Sequence, residues 1–191
     1  MATTDAAGST REQILIAAEN LFATQGYQAT TVKQVAEQVG VQGPALYKHF
    51  SSKRALFEEV LETLFTPFVS MMADTEDLAA TLQNMIRQQL ANPNASRIVQ
   101  LATLSGGEDL ALLVDRWYRP LFENAQKLAA YGQPGITPVS VMAFHSMLLG
   151  YLTLAPLHQA IFDSDPLAEE ALAELLDLEA SFASLLTPAS S

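Results

Sequence analysis

The fold of this chain is decided by residues 30–56, which read TTVKQVAEQVGVQGPALYKHFSSKRAL. Thr31 and Gln34 predict a capped start for one short helix, and Gly40 can adopt the positive φ that a sharp turn requires. Pro44 suits the first turn of a second helix, because an N–H group there would have no intrahelical partner. The segment therefore predicts two short helices that cross steeply, a helix-turn-helix.

A helix-turn-helix needs a small core and an exposed outer face. The residues available for that core, packed against a preceding helix, are Val35, Ala36, Val39, Val41 and Leu46. The second helix then presents outward Gln42, Gly43, Ala45, Lys48 and His49. Small residues near its N-terminal end let the backbone approach a groove floor, and helix N-termini attract phosphate. The outer face therefore predicts an interaction with duplex DNA.

Helical periodicity also dominates the rest of the chain, and the sequence has no alternating strand pattern and no internal repeat. Ser9 and Glu12 predict a capping box for a first helix, which we expect Gly26 to end. A helix over about 53–72, kinked at Pro67, follows the helix-turn-helix. Breaks rich in Gly, Pro and Asn predict further helices over about 76–91, 94–104, 108–131, 138–160 and 166–186. The chain is therefore predicted to be all-α, with about nine helices.

Charge is distributed unevenly along the 191 residues. The formal net charge is −11, which by itself disfavours a nucleic-acid partner. Residues 33–54 nevertheless hold four cations against Glu37 alone, so the local field around the helix-turn-helix is positive. Residues 61–191 hold five cations and fifteen acids. We therefore expect a basic DNA-binding head and an acidic body that faces solvent.

Other classes of protein are disfavoured by what the sequence lacks. There is no cysteine, which removes disulfides and thiolate chemistry and agrees with the cytoplasm. There is no Gly-rich phosphate loop and no histidine pair at metal-ligand spacing, so we expect no enzyme, metal or cofactor. Residues 139–157 carry no formal charge and could span a bilayer by length. Their polar residues, with no cation after Lys127, favour a buried helix and no membrane partner.

The helix-turn-helix resembles the TetR family of transcriptional regulators over roughly residues 11–57. The family pattern is present as Thr30-Thr31-Val32, as Ala36 to Val41, and as Leu46-Tyr47-Lys48-His49-Phe50 followed by Lys53. Beyond this stretch the similarity lies in length and helix count. The resemblance implies an N-terminal three-helix DNA-binding head and a C-terminal helical body that binds a ligand and forms a homodimer.

The resemblance also implies which residues touch DNA. Phosphate contacts fall on Thr31, Lys33, Tyr47, His49 and Lys53. The base-facing edge of the recognition helix falls on Gln42, Gly43, Pro44, Ala45 and Lys48. Gln42 stands where the family often has serine, and because glutamine can pair with an adenine edge, we expect Gln42 to read sequence.

Three regions follow from the resemblance: a flexible tail at residues 1–9, a DNA-binding domain at 10–55, and an effector-binding and dimerisation domain at 56–191. An apolar stripe on the final helix fits dimerisation through the last two helices, although it would also fit a monomer core: Leu172, Leu175, Leu176, Phe182 and Leu186. The candidate effector-pocket residues, each of which equally fits an ordinary core, are Phe68, Met72, Met85, Leu101, Leu104, Trp117, Phe144, His145 and Tyr151.

These features together predict a ligand-responsive transcriptional repressor. It would bind a palindromic operator in double-stranded DNA as a homodimer and be released by a small, hydrophobic effector. The two recognition helices of such a dimer lie about one DNA turn apart, roughly 34–36 Å, and an effector that favours another spacing lowers DNA affinity. Two alternatives stay open: a helical DNA-binding or interaction protein without a ligand, and a transcriptional activator.

Overall fold

The computed structural model describes residues 9–74, 78–130 and 137–186, and all regular structure within these ranges is helical. The helices are α1 (Thr10–Ala29), α2 (Val32–Val39), α3 (Gly43–Leu46), α4 (Lys53–Ala73), α5 (Leu78–Ala91), α6 (Asn94–Ser105), α7 (Gly107–Leu113), α8 (Arg119–Ala130), α9 (Pro138–Phe162) and α10 (Glu169–Leu186). The predicted all-α fold is confirmed.

One predicted helix differs in detail. The periodicity predicts a single helix over about 108–131, whereas a π-helical segment at Val114–Tyr118 separates α7 from α8. A π turn holds one more residue than an α turn, so it shifts the side chains that follow it to a different face of the helix. Taking α7, this segment and α8 as one continuous element, the described ranges contain nine helices.

Local signals set the ends of α1 and the start of α2. At the start of α1, the Ser9 hydroxyl accepts from the Glu12 N–H at 3.3 Å. Gly26 leaves the helical conformation with φ of 79°, so α1 is interrupted there and resumes for one last turn. At the start of α2, Thr31 Oγ1 accepts from the Gln34 N–H at 3.2 Å and Gln34 Oε1 accepts from the Thr31 N–H at 2.8 Å. The predicted capping box is therefore confirmed at α2, and at α1 the Ser9 side-chain cap is present at the predicted residue.

The turn after α2 is built on Gly40, which has φ of 72° and ψ of 24°. The Gly40 N–H donates to the Glu37 carbonyl at 3.2 Å, and the Val41 N–H donates to the Ala36 carbonyl at 2.9 Å. These bonds satisfy carbonyl groups that the helix end would leave open. The chain therefore leaves α2 abruptly, and α3 begins three residues later.

The first helices pack around a core in which Phe22 and Phe57 make an edge-to-face contact with ring centroids 4.9 Å apart. Of the predicted helix-turn-helix core, Val35, Ala36 and Leu46 are buried, while Val39 and Val41 are half-buried. The fully buried side chains from α1 and α4 include Ile14, Phe22, Leu56, Phe57 and Leu61.

The chain divides into two compact units. One contains the residues up to Pro67 together with Arg97–Trp117, and the other contains Phe68–Ser96 together with the residues from Tyr118 onward. Helix α6 from Arg97 and helix α7 therefore group with the helix-turn-helix. The boundary expected at residue 55 between a DNA-binding and an effector-binding domain stays a prediction, because a functional domain boundary need not coincide with the boundary between compact units.

The second unit has a core of its own, built from α5, α9 and α10. Its buried members are Ile86, Leu90, Leu148, Leu152 and Leu175, and Tyr151, Leu167 and Leu172 pack against them. Within the described ranges, no helix combines the length and the apolar character needed to cross a membrane.

A buried carboxylate anchors α7 inside the first unit. Asp109, 6% exposed, accepts from Arg54 Nη1 at 2.6 Å and from Gln28 Nε2 at 3.2 Å. Arg54 also bonds Glu58 at 3.2 Å. Burial acts to lower the pKa of Arg54, but its hydrogen bonds to Asp109 and Glu58 outweigh burial and raise that pKa. The charged pair therefore ties α1, α4 and α7 together.

We expect Asp109→Asn to lower the free energy of unfolding by about 2 kcal/mol, because Arg54 keeps its charge and loses its charged acceptor. Urea denaturation followed by far-UV circular dichroism measures this. The exposed neighbour Glu108 supplies a control, since Glu108→Gln is expected to change stability by less than about 0.5 kcal/mol. Adding Arg54→Met to Asp109→Asn is expected to cost less than the sum of the two single changes. If the stability losses of the two single variants simply added up in the double variant, the proposed coupling between Arg54 and Asp109 would be contradicted.

Candidate nucleic-acid interface

The second helix of the helix-turn-helix begins at Gly43, directly after Gln42. Helical turns continue past Leu46, since the N–H groups of His49 and Phe50 both donate to the Leu46 carbonyl, at 2.9 and 3.1 Å. Leu46 is 0% exposed and Phe50 3% exposed. These two buried side chains fix which side of the segment faces the core, and so which side faces solvent.

The solvent side is formed by the residues predicted to face DNA. Gln42, Pro44, Tyr47, Lys48 and His49 are exposed, and Gly43 and Ala45 are half-buried. Tyr47 is 54% exposed in spite of its large ring. In the part of the chain that the structure describes, the side chains of Tyr47, Lys48 and His49 make no hydrogen bond or ion pair. Their donors are therefore available to a partner.

Two further predicted phosphate contacts stand at the start of α2. Thr31 is exposed, although its hydroxyl takes part in the capping box. The Lys33 side chain is 83% exposed, and its Nζ lies 3.7 Å from Glu37 Oε1. An exposed ion pair of that length contributes little, so Lys33 can exchange it for another anion.

Lys53, the remaining predicted phosphate contact, is placed differently. Its Nζ donates to the backbone carbonyls of Tyr27 and Thr30, both at 2.9 Å, and lies 4.1 Å from the centroid of the Tyr27 ring. The ammonium group thus already has partners within the subunit.

Arg11, to which the sequence assigns no function, lies against the end of the candidate interface. Its guanidinium is 5.1 Å from the centroid of the Phe50 ring and pairs with Glu59 of α4. The interaction links residues far apart in sequence, so no local pattern could indicate it. Arg11 therefore supports the segment that carries Lys48 and His49.

The candidate effector residues are divided between the two units. Phe68, Met72, Met85 and Trp117 are buried, and Leu101, His145 and Tyr151 are half-buried. Leu104 differs, since its side chain is 85% exposed, and we leave it out of the proposed set. The side chain of Phe144 lies outside the described residues.

The second unit also contains a hydrogen-bonded polar pair. The Tyr118 hydroxyl is 3.1 Å from His145 Nε2. Burial lowers the pKa of His145 and raises the pKa of Tyr118, so both groups are neutral near pH 7. Tyr151 donates to the Pro166 carbonyl at 2.6 Å. Hydroxyl and imidazole groups of this kind can hydrogen-bond a ligand as well as each other.

Two residues of the apolar stripe predicted for dimerisation contact the core of their own subunit, and the stripe's role in dimerisation stays a prediction. Leu175 is 6% exposed and belongs to the core of its own unit, and Leu172 packs against that core. An amphipathic helix shows the same pattern whether its apolar side meets its own subunit or another one. The side chains of Leu176, Phe182 and Leu186 lie outside the described residues.

Exposed apolar side chains occur instead mainly on α9. Their exposed fractions are 70% for Val139, 65% for Met142, 44% for Leu154, 54% for Leu157, 60% for Ile161 and 69% for Phe162, and on α10 Leu178 is 53% exposed. Leu154, Leu157 and Ile161 follow each other at spacings of three and four residues, which places them on one face of the helix. A face of this kind on a folded chain indicates an interaction surface.

Comparison with known proteins agrees with this geometry. Residues 14–60 match a family model described as bacterial regulatory proteins, tetR family. The HTH-type transcriptional repressor KstR2 of Rhodococcus jostii is 35% identical over 80 residues, 40% of this chain and 39% of KstR2. The nucleoid occlusion factor SlmA of Alteromonas mediterranea is 35% identical over 107 residues, 52% of this chain and 55% of SlmA.

A third relative is named a transcriptional activator, whereas KstR2 is named a repressor. The HTH-type transcriptional activator FasR of Mycolicibacterium smegmatis is 32% identical over 114 residues, 60% of this chain and 46% of FasR. The chain thus matches about half the length of these relatives or less. A transcriptional regulator of the TerR/AcrR family from Aquifex aeolicus has the same fold, with a TM-score of 0.66, 21% identity, and 92% of this chain and 99% of that chain covered.

Gly40→Ala is expected to lower the free energy of unfolding by about 1 kcal/mol, because a Cβ atom disfavours the left-handed conformation that Gly40 adopts. Urea denaturation measures the loss. Gly43→Ala is the matched control: an added Cβ meets nothing within 4 Å at either glycine, but only Gly40 of the two has a positive φ. If Gly40→Ala and Gly43→Ala changed the free energy of unfolding equally, the loss could not be attributed to the left-handed conformation of Gly40.

Proposed function

We propose that this chain, whose residues 14–60 match the family model of bacterial regulatory proteins, tetR family, is a transcriptional regulator that binds double-stranded DNA through α3 and the residues directly beside it. The observation that carries the proposal concerns four residues that directly flank α3 after the Gly40 turn. The side chains of Gln42, Tyr47, Lys48 and His49 are exposed and make no hydrogen bond or ion pair within the described residues. Side chains with these donors suit phosphate oxygens and base edges.

The proposed mode of binding places α3 in the major groove. Gln42, Gly43, Pro44, Ala45 and Lys48 would face the bases, with Gly43 and Ala45 small enough for a close approach. Thr31, Lys33, Tyr47 and His49 would contact phosphates on either side. Gln42 makes no side-chain cap on α3, which leaves its amide available for an adenine edge.

We further propose that the protein acts as a homodimer on a palindromic operator. The exposed apolar residues Leu154, Leu157 and Ile161 of α9 support this, because covering such a face removes apolar surface from water. A twofold dimer uses the same face of each subunit. Two copies of α3 in one dimer would then meet two half-sites of the same sequence.

The regulatory part of the proposal is repression relieved by a small, hydrophobic effector bound in the C-terminal region. Support comes from buried Phe68, Met72 and Met85 and from the neutral Tyr118–His145 pair, which could orient a polar group of a mainly apolar ligand. An effector lowers operator affinity only by binding better to the conformer that binds DNA worse. KstR2 is named a repressor and FasR an activator. Whether this protein represses or activates transcription is therefore decided by experiment.

A second candidate is a DNA-binding factor that acts without an effector. The similarity over 107 residues to SlmA, which is named a nucleoid occlusion factor and not a transcriptional repressor or activator, favours it. The two candidates share α3 and its DNA contacts, and they differ in whether any small molecule changes DNA affinity.

Selection of bound duplexes from a random pool tests the DNA-binding proposal. We expect the purified protein to enrich an inverted repeat with half-sites about one helical turn apart. Recovery of no common sequence would count against it. Reporter genes under the selected operator then distinguish repression from activation.

Lys48→Ala is expected to weaken binding to the selected duplex by at least about 1 kcal/mol and to relax preference at one base position. Fluorescence anisotropy with the selected duplex and with single-base variants measures both effects. Lys127→Ala removes the same charge from an exposed position on α8 and should leave affinity nearly unchanged. Equal losses for the two variants would show that Lys48 acts only through net charge.

Leu157→Glu is expected to convert the dimer to a monomer, because it buries a charge at the proposed interface without a partner. Sedimentation velocity at micromolar concentration measures the change. Leu104→Glu is the control, since Leu104 is 85% exposed on α6 and is not one of the residues proposed for the interface. A Leu157→Glu dimer as stable as the wild-type dimer would exclude this face.

A further inference from the structure

Lys53 begins α4 beside the C-terminal end of α1. Its ammonium donates to the carbonyls of Tyr27 and Thr30, both at 2.9 Å. A third side of the ammonium faces the Tyr27 ring, whose centroid is 4.1 Å away. Because an ammonium has three donors and no acceptor, these three partners use most of its hydrogen-bonding capacity.

The two carbonyls lie at the C-terminal end of α1, where a cation is electrostatically favourable. Thr30 is the C-cap of α1, and Tyr27 lies in the last turn after the interruption at Gly26. The last carbonyls of a helix lack intrahelical partners and carry partial negative charge. Thr30 is 1% exposed, so water has little access to the residue that Lys53 holds.

Further hydrogen bonds connect the end of α1 to the start of α2, and this junction, residues 27–34, is called the α1–α2 corner. Thr30 Oγ1 donates to the Gly26 carbonyl at 2.8 Å, and Gln25 Nε2 donates to Thr30 Oγ1 and to Gln34 Oε1, each at 3.2 Å. Gln34 Oε1 also accepts from the Thr31 N–H at 2.8 Å. The α2 N-terminus is thus fixed to the same residues as the end of α1.

We propose that Lys53 is a positioning residue for the DNA-binding face: its ammonium, bound to the carbonyls of Tyr27 and Thr30, fixes the α1–α2 corner from which Thr31, Lys33 and α3 meet DNA. The proposal rests on the proposed function and replaces the phosphate contact expected for Lys53. Holding the corner in the free protein raises DNA affinity, because less ordering is left for the binding step.

The first experiment measures operator affinity against salt for the wild-type protein and for Lys53→Met, Lys53→Arg and Lys33→Met, using the duplex recovered by selection. Loss of a phosphate contact reduces the slope of log affinity against log salt by about one per subunit. We expect that reduction for Lys33→Met, whose parent side chain is 83% exposed. Lys53→Met should bind about tenfold more weakly at the wild-type slope.

Rescue by arginine provides a readout that a general loss of stability would not give. Lys53→Arg keeps N–H donors and charge, and should bind within about threefold of the wild type. If Lys53→Met does not fold, Lys53→Gln, which is neutral but keeps amide donors, serves the same slope comparison. A slope that falls by about one per subunit in a neutral Lys53 variant would overturn the proposal in favour of a phosphate contact.

The second experiment needs no DNA. Amide hydrogen exchange of the free protein is expected to become about tenfold faster over residues 27–34 in Lys53→Met, with α9 amides unchanged and with no such effect in Lys33→Met. Unchanged exchange over 27–34 would overturn the proposal. If the wild-type protein enriches no duplex, the proposed function fails, and the exchange comparison still decides whether Lys53 holds the corner.

Discussion

Gly40 turns the chain with φ of 72°, and the N–H groups of Gly40 and Val41 reach back to the carbonyls of Glu37 and Ala36. A left-handed residue at this point ends α2 without leaving its last carbonyls unbonded. The chain then has only Val41 and Gln42 before α3 begins, so the direction of α3 depends on that one conformation. Burial of Leu46 sets the rotation of α3 about its axis. The outward residues of the proposed interface from Gln42 to His49 follow from these two constraints.

The parts that sequence predicts well are those decided by neighbouring residues. The Thr31–Gln34 capping box and the Gly40 stop place α2 at Val32–Val39 as expected. Capping boxes and left-handed glycines depend on contacts within about four residues, so their signal is contained in a short window. The exposed outer face is predictable for the same reason, because helical periodicity around buried Leu46 and Phe50 determines which side remains open.

The parts that sequence predicts poorly depend on partners distant in the chain. Nothing local distinguishes Lys53, which bonds the end of α1, from Lys48, which stays exposed. The stripe containing Leu172 and Leu175 fits a subunit core and a dimer contact equally well; in the structure Leu175 belongs to the core of its own unit and Leu172 packs against that core. The π segment at Val114–Tyr118 likewise has no short signature, because one added residue is accommodated by packing around it.

Positions of the cations also change the electrostatic expectation for DNA binding. Residues 33–54 contain four cations, but Lys53 bonds backbone carbonyls and Arg54 pairs with buried Asp109. In the proposed mode of binding, Lys33 and Lys48 are the cations of that stretch assigned to DNA. With few counterions to release, affinity would fall less steeply with salt than the sequence count implies. More of the binding energy would then come from contacts that release no counterion, and of these the contact proposed for Gln42 depends on the base sequence.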